Sequence, residues 1–513
     1  MKPITPFVIS APGFYGVNTQ DSPVDLAPGF ALRAINCVID ESGRIASRKG
    51  WQTIHAANAD LGTSNVTTIG ELIDNSGTSY VLCTGGGFLF KYAAGVLTTL
   101  TYGGGGVAPT IAANNWQFVQ LNGVAMFFQR GYDTLIFDPA VSTTTFRRLS
   151  ERSGSAGTFY QTHTALSAYG RVWSADNGTD KNTVVFSDIL APHIMTGGTS
   201  GSLNVAQVWP TGGDEVIALA AHNNFLFIFG RKQILVYSGA DDPATMRLSD
   251  SIVGVGCIAR DSVQNTGDDV IFLSDSGVRS VLRTVQEKSA PLRPISKNVL
   301  NELQTHILAE TKDNIKSVYS KQHGFYLLTM PSFFECYCFD IARPLQDGST
   351  RVTTWQNLTP SGLYEARDGT LYFGLAGNLA TYGSYFDNAT AYRAQYYTTW
   401  IDFGNPIQIS ILKKIILTLI GGVNQPIIFK WAYDFVQSYS TETVSISGIV
   451  SAAEFGITEY NSGAEYAGNL LVNTLSANGT RSGKVLQFGF EAQIQGSPIS
   501  IQKIELFTKD GRL

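Results

Sequence analysis

Seven times along this chain a turn is followed by a short apolar run, a second turn and another apolar run, and this repeat restricts the fold more than any other feature. The first clear instance is residues 80–83 with 88–90. Later units open at Val124, Arg171, Phe225, Val270, Phe325 and Leu371, so successive units lie 44 to 55 residues apart. A period near 40 to 50 residues, with strands and no regular helix pattern, is the spacing of β-propeller blades. The turns agree: Asn122-Gly123, Tyr169-Gly170, Asn223-Asn224, Asp275-Ser276-Gly277 and Asp368-Gly369 supply residues that tolerate positive φ at hairpin tips.

Many of the runs, such as Phe225-Leu226-Phe227-Ile228-Phe229 and Ile234-Leu235-Val236-Tyr237, are continuously apolar rather than alternating. Such strands need cover on both faces. A blade between two neighbouring blades has that cover, so Phe227 and Val236 are expected to be buried. The sequence therefore reads as all-β: a six- or seven-bladed β-propeller over residues 61–395, followed by a C-terminal β-sandwich over 396–513. The sandwich strands are expected at 409–420, 427–433, 485–494 and 499–507. Residues 1–60 read as an N-terminal arm with a hairpin at Glu41-Ser42-Gly43, which completes a blade or extends to a neighbour.

Two intervals are long for a blade. One contains Val299, Leu300, Leu303, Ile307 and Leu308 at helical spacing after Ser296, a predicted N-cap, so one short inserted helix is expected. The other contains Gly197-Gly198-Thr199-Ser200-Gly201 and Thr211-Gly212-Gly213-Asp214, an extended loop.

Composition narrows the function. Hydrophobic residues make up 44% and charged residues 15% of the chain, with 52 glycines and 29 phenylalanines, a balance that favours strands and tight turns. The formal net charge of -5 and the absence of any Lys/Arg run argue against tight phosphate binding. Residues 1–12 make a poor signal peptide, and the apolar run 409–420 is interrupted by Lys413 and Lys414, so a soluble, unexported chain with no membrane anchor is expected. The five cysteines read as reduced core residues. Cys336 and Cys338 share a strand face without a second Cys or His pair at zinc spacing.

Enzyme motifs fail on spacing. There is no His-Glu-x-x-His and no Gly-x-Ser-x-Gly, and the stretch from Gly479 through Gly483-Lys484-Val485 has one residue too few for a phosphate loop and lacks its Ser or Thr. Asp176-Asn177-Gly178-Thr179-Asp180 lacks the distal acid of a calcium loop. Asp275 and Asp368 sit in turns with a weak resemblance to the aspartate turns of sialidase propellers, at different spacing. No catalytic residue, cofactor or metal set is expected. Gly103, Gly104, Gly105 and Gly106, with Gly197 and Gly201, are the candidate gate or contact loops.

Three stretches carry a family resemblance. They are Gly16-Val17-Asn18-Thr19-Gln20-Asp21-Ser22-Pro23 with Gly29, Ala34-Ile35-Asn36, Gly43-Arg44 and Arg48-Lys49-Gly50-Trp51; then Ile234 to Pro243, Ile252 to Cys257 and Val270 to Arg279; and Ile504-Glu505-Leu506-Phe507. Together they resemble podophage tail nozzle proteins, also called tail tubular protein B or packaged-DNA stabilisation proteins. The resemblance implies a structural virion protein made in the host cytoplasm and placed in the virion tail. In that family it forms a homo-hexameric ring below the head-to-tail adaptor, contacts tail fibres or spikes, and passes double-stranded DNA without binding it tightly. It holds packaged DNA in and conducts it during ejection. The alternatives are a propeller interaction scaffold of another assembly and, less favoured, a carbohydrate-active enzyme.

Overall fold

The computed structural model describes residues 6–112, 115–282, 294–404, 407–422, 425–446 and 472–511. Seven sheets stand round one axis. Their innermost strands are Val66–Ile73, Gln117–Leu121, Thr164–Ala168, Val216–His222, Gln264–Asn265, Lys316–Ser320 and Gly362–Glu365, each touching the next and the last touching the first. We number the blades in that order. Six have four strands or more, and blade 5 has three among the described residues. The apolar pairs visible in the sequence are the second and third strands of each blade; the later units open on the first residues of Val124–Phe128, Arg171–Ala175, Phe225–Gly230, Val270–Ser274, Phe325–Met330 and Leu371–Leu375. Phe227 and Val236 are buried and directly opposite each other in blade 4.

Side chains on the innermost strands lace neighbouring blades together by binding backbone groups. Gln120 Oε1 of blade 2 accepts from Ile73 N of blade 1 at 3.1 Å, and Gln117 Oε1 accepts from Ala165 N of blade 3 at 2.6 Å. Gln264 Nε2 of blade 5 donates to Ser317 O of blade 6 at 3.0 Å, and Glu71 of blade 1 accepts from Arg367 N at 2.7 Å on the blade 7 side. These bonds satisfy backbone groups that ladder pairing leaves over.

The ring closes with a strand from the start of the chain. Trp51–Thr53 pairs antiparallel with Asn378–Tyr382, the third strand of blade 7, and becomes its outer edge. The hairpin just before it, Cys37–Ile39 with Ile45–Ser47, joins the sandwich instead, through Ile45 opposite Ile501. Residues before position 60 thus serve both parts of the molecule.

One sheet of the sandwich contains Val472–Asn478, Ser410–Gly421 and Ile499–Asp510, with that hairpin and Pro6–Ser10 along Ile499–Asp510. The facing sheet contains Phe30–Ile35, Tyr392–Thr398, Leu486–Ile494, Pro426–Tyr433 and Ser440–Ser445. This facing sheet does not stop at the sandwich. Through Gly16–Val17 it continues into Arg351–Gln356, the outer strand of blade 6, making ten strands among the described residues. At Gly16 φ is +79°, and a Cβ would lie 2.5 Å from Val352 O, so only glycine seats this bridging strand. The core is continuous as well. Ile415 and Leu417 of one sheet share a buried apolar cluster with Phe429 and Phe488 of the other, and the same cluster reaches Tyr326, Leu328 and Phe339 of blade 6.

The inserted helix is Leu300–Ala309, preceded by a 3-10 turn at Lys297–Val299. Val299, Leu303 and Ile307 are buried, as successive i, i+4 positions should be, but Leu308 lies one position further round the helix and is 84% exposed. Ser296 does not cap the helix. Its buried hydroxyl accepts from Val278 N at 3.0 Å and fixes the turn to blade 5.

Candidate functional site

The axial mouth of the ring is built from residues just before, or opening, four innermost strands. Asn115 (blade 2), His163 (blade 3), Arg260 and Asp261 (blade 5) and Lys316 (blade 6) converge there. Arg260 Nη2 donates to Asn115 Oδ1 at 2.7 Å, and its Nη1 donates to His163 O at 2.5 Å. Asp261 accepts from Arg260 Nε at 2.7 Å and from Lys316 Nζ at 2.5 Å; Lys316 also donates to Asn115 Oδ1. Blades 2 and 5 are not neighbours, so the Arg260–Asn115 contact crosses the axis. Arg260 is 4% exposed and Lys316 7%, so the mouth is filled by a satisfied polar plug.

The electrostatics suit a plug. Burial pushes the Asp261 carboxyl up, but the Arg260 and Lys316 charges outweigh it and hold it below the usual carboxylate range. Burial and then the Arg260 charge lower His163 to about 2, so its imidazole is neutral. Lys316 is lowered by burial, with Asp261 opposing. Each charged group has its partner, as a buried charge requires.

A second cluster sits beside the helix. Glu302 and His306, one turn apart, meet Glu335 of the strand Glu335–Asp340, with one donor atom from each within 4.8 Å of the others. The donors are metal-like in type, yet each is engaged. His306 Nδ1 is 2.9 Å from Tyr337 Oη and its ring stacks on Phe333, Glu335 accepts from Gln356 Nε2 at 3.4 Å, and Glu302 accepts from Thr19 Oγ1 at 3.2 Å. The Thr19 bond ties the segment after Gly16–Val17 to the helix, and the His306 contacts hold the helix to blade 6. The Glu-x-x-x-His spacing was visible in the sequence, but Glu335 lies too far along the chain to be matched with it.

Between blades 2 and 3, on the outer side, lies a cleft of about 390 Å³. It is lined by Ile136, Asp138, Val141, Arg147, Arg152 and His193 among others. The two glycine loops singled out in the sequence flank it. Gly103 backs onto Thr145 on the cleft wall, its Cβ position 2.8 Å from the Thr145 side chain, and Gly104 is held against Tyr102 and Glu151. A Cβ at Gly105 or Gly106 would meet nothing within 4 Å, although Gly105 O accepts from Tyr102 Oη at 2.9 Å. Gly197 follows the loop that carries His193, and Gly201 opens the outer strand Gly201–Asn204 of blade 3. Both loops are therefore on the outer rim, away from the axis of the propeller.

The other sequence motifs resolve into structure. Asp176 is buried and paired with Arg130, Asp368 Oδ1 accepts from Thr370 N within its hairpin turn, and the stretch from Gly479 to Val485 is not a hairpin turn but a crossover between the two sandwich sheets, with Ser482–Gly483 paired to Ser410–Gly421 and Asp434 Oδ1 accepting from Lys484 N. All five cysteines are free and buried; burial raises Cys37, Cys83 and Cys257 to about 12, so none of these three is a thiolate nucleophile. Among the described residues no helix is long and apolar enough to cross a membrane.

No protein-family model and no curated protein matches this chain. Among solved structures it is similar to the Pan2 WD40 domain of Neurospora crassa, at 10% identity and a TM-score of 0.39 over 65% of this chain and 95% of that one. It is also similar to PorZ of Porphyromonas gingivalis, an essential bacterial surface component of the type-IX secretion system, at 13% identity and a TM-score of 0.34 over 64% of this chain and 37% of that one. Likenesses this remote carry no functional argument. The strand topology itself defines the class: a β-propeller scaffold welded to a β-sandwich.

Proposed function

We propose that this chain is a structural virion protein, the tail nozzle of a short-tailed phage, acting as a ring that retains packaged DNA and conducts it during ejection. The observation that carries this reading is where the family-like residues of the N-terminal segment fall. Gly16-Val17 forms the strand that bridges propeller and sandwich, Asn36 and Arg48 bind one another at the junction at 3.0 Å, and Gly50-Trp51 leads the strand that closes the ring. Arg48 is fully buried, bidentate to Asp387 at 2.8 and 2.7 Å, and its guanidinium carbon lies 4.2 Å from the Tyr392 ring centre. This N-terminal part of the resemblance thus lies on residues whose work is to make two domains one rigid body, as a component of a tube under internal pressure needs, and not on a reaction site.

The polar plug supports a further point of mechanism. DNA does not thread the propeller of each subunit; it passes through the lumen that subunits enclose together. A heterologous side-to-side contact closes into such a ring when its rotation permits. The net charge of -5 suits a conduit, because each phosphate neutralised by Lys or Arg would retard the strand. In this reading the protein is not an enzyme, and its partners are copies of itself, the head-to-tail adaptor and tail fibres or spikes. Negative-stain imaging of the purified protein, with duplex binding measured at physiological salt, tests it. Six-membered rings without tight binding support the reading. Salt-sensitive, tight duplex binding, or glycan hydrolysis lost on Asp275→Ala or Asp368→Ala, defeats it.

A further inference from the structure

The outer cleft between blades 2 and 3 combines three features that the plug and the junction do not use. It is open and about 390 Å³, within the range of small-molecule sites. Arg147 Nε, Arg152 Nη1 and His193 Nδ1 are all buried there, and among the described residues none has a hydrogen-bond partner. Arg152 Nη2 meanwhile is fixed 3.2 Å from Asp138, so the side chain is held in place while Nη1 stays unused. Those three atoms are recessed behind the wall, but the Arg147 and Arg152 side chains line the cleft and Arg152 keeps 25% of its side chain exposed, so positive charge is presented to a group from outside the chain.

We propose that this cleft binds an acidic monosaccharide unit, its carboxylate on Arg147 and Arg152 and its hydroxyls on the surrounding polar groups. Charge selects the anion. Two guanidinium groups face one carboxylate, Asp138, leaving one positive charge, and His193 adds none, because burial and the Arg152 charge lower it and hold the ring neutral. One net positive charge favours an anion over a neutral sugar. Size and lining select the rest of the ligand. The cavity far exceeds a bare inorganic anion. Ser142, Thr145, Ser153 and Asp138 offer hydroxyl and carboxylate partners, and Ile136, Ala140 and Val141 offer an apolar wall for the face of a sugar ring. Among the described residues no Phe, Tyr or Trp lines the cleft to stack a nucleobase. This inference does not depend on the nozzle reading.

Calorimetric titration of the full-length protein with glucuronic acid, glucose and inorganic phosphate tests it. Glucuronate is expected to saturate one site at least about ten-fold more tightly than either other probe, over glucose because of charge-assisted bonds to guanidinium and over phosphate because its ring and hydroxyls meet the rest of the cleft wall. Arg147→Gln is expected to weaken it by about ten-fold or more. Val141→Trp, which fills the cleft at an exposed wall residue and leaves the charges in place, should abolish binding without lowering the melting temperature. Glucuronate binding no tighter than glucose, phosphate matching glucuronate, or full affinity retained in both variants overturns the proposal.

Discussion

Asp261 holds two buried cations at the axial mouth, and its replacement isolates the energetics of the plug. Asp261→Asn leaves Arg260 and Lys316 facing each other without the carboxylate, and removing one partner of such a buried network should lower stability by about 3 to 5 kcal/mol in denaturant unfolding. A loss below about 1 kcal/mol, the value of a surface pair, would mean the mouth is wet and open. His163 supplies a pH test. Its folded-state value is lowered to about 2, so the folded protein keeps the ring neutral while the unfolded chain protonates it below about 6.5. Unfolding therefore takes up a proton, and the stability contributed by the neutral ring is complete above about 6.5 and is lost as pH falls below it. Between pH 7 and pH 5 the wild type should lose about 2 kcal/mol more than His163→Gln. Parallel pH profiles would show the ring exposed.

At the scale of elements, the middle strands of the blades were legible because they are buried on both faces; Val124–Phe128 and Val270–Ser274 are buried throughout, and an unbroken apolar run is the result. Innermost strands were harder to read, since residues such as Gln117, Gln120 and Gln264 spend their side chains on neighbouring blades and break the apolar pattern. The sandwich strands expected at 409–420 and 427–433 lie within a residue of those observed, whereas Ser440–Ser445, with alternate residues exposed, carries too little apolar signal. The plug was invisible, because its members come from four blades and have no common spacing. The closing strand was equally hidden, being three residues long and paired more than 300 positions away. Gly50 tests it. A Cβ there would stand 1.8 Å from Phe386 O, so Gly50→Ala should push the closing strand off blade 7 and cost at least about 2 kcal/mol. Gly105→Ala, with open space around it, should stay within about 0.5 kcal/mol of wild type. Equal melting temperatures for the two variants would refute closure by residues 51–53.

The whole molecule is one body, because propeller and sandwich share a ten-stranded sheet and one apolar cluster. Scanning calorimetry is therefore expected to give a single transition for the full chain, where two separated peaks would reveal domains that merely touch. In the proposed nozzle, a rigid body of this kind, with its own axis stoppered, conducts DNA only by standing beside its copies. Electron cryo-microscopy of the phage particle to which the proposed function assigns this chain tests that claim most directly. Six copies closed round a lumen below the head-to-tail adaptor are expected, with DNA density on the shared axis and none in the propellers. Absence of the chain from the tail, or DNA density running through a propeller axis, would contradict it.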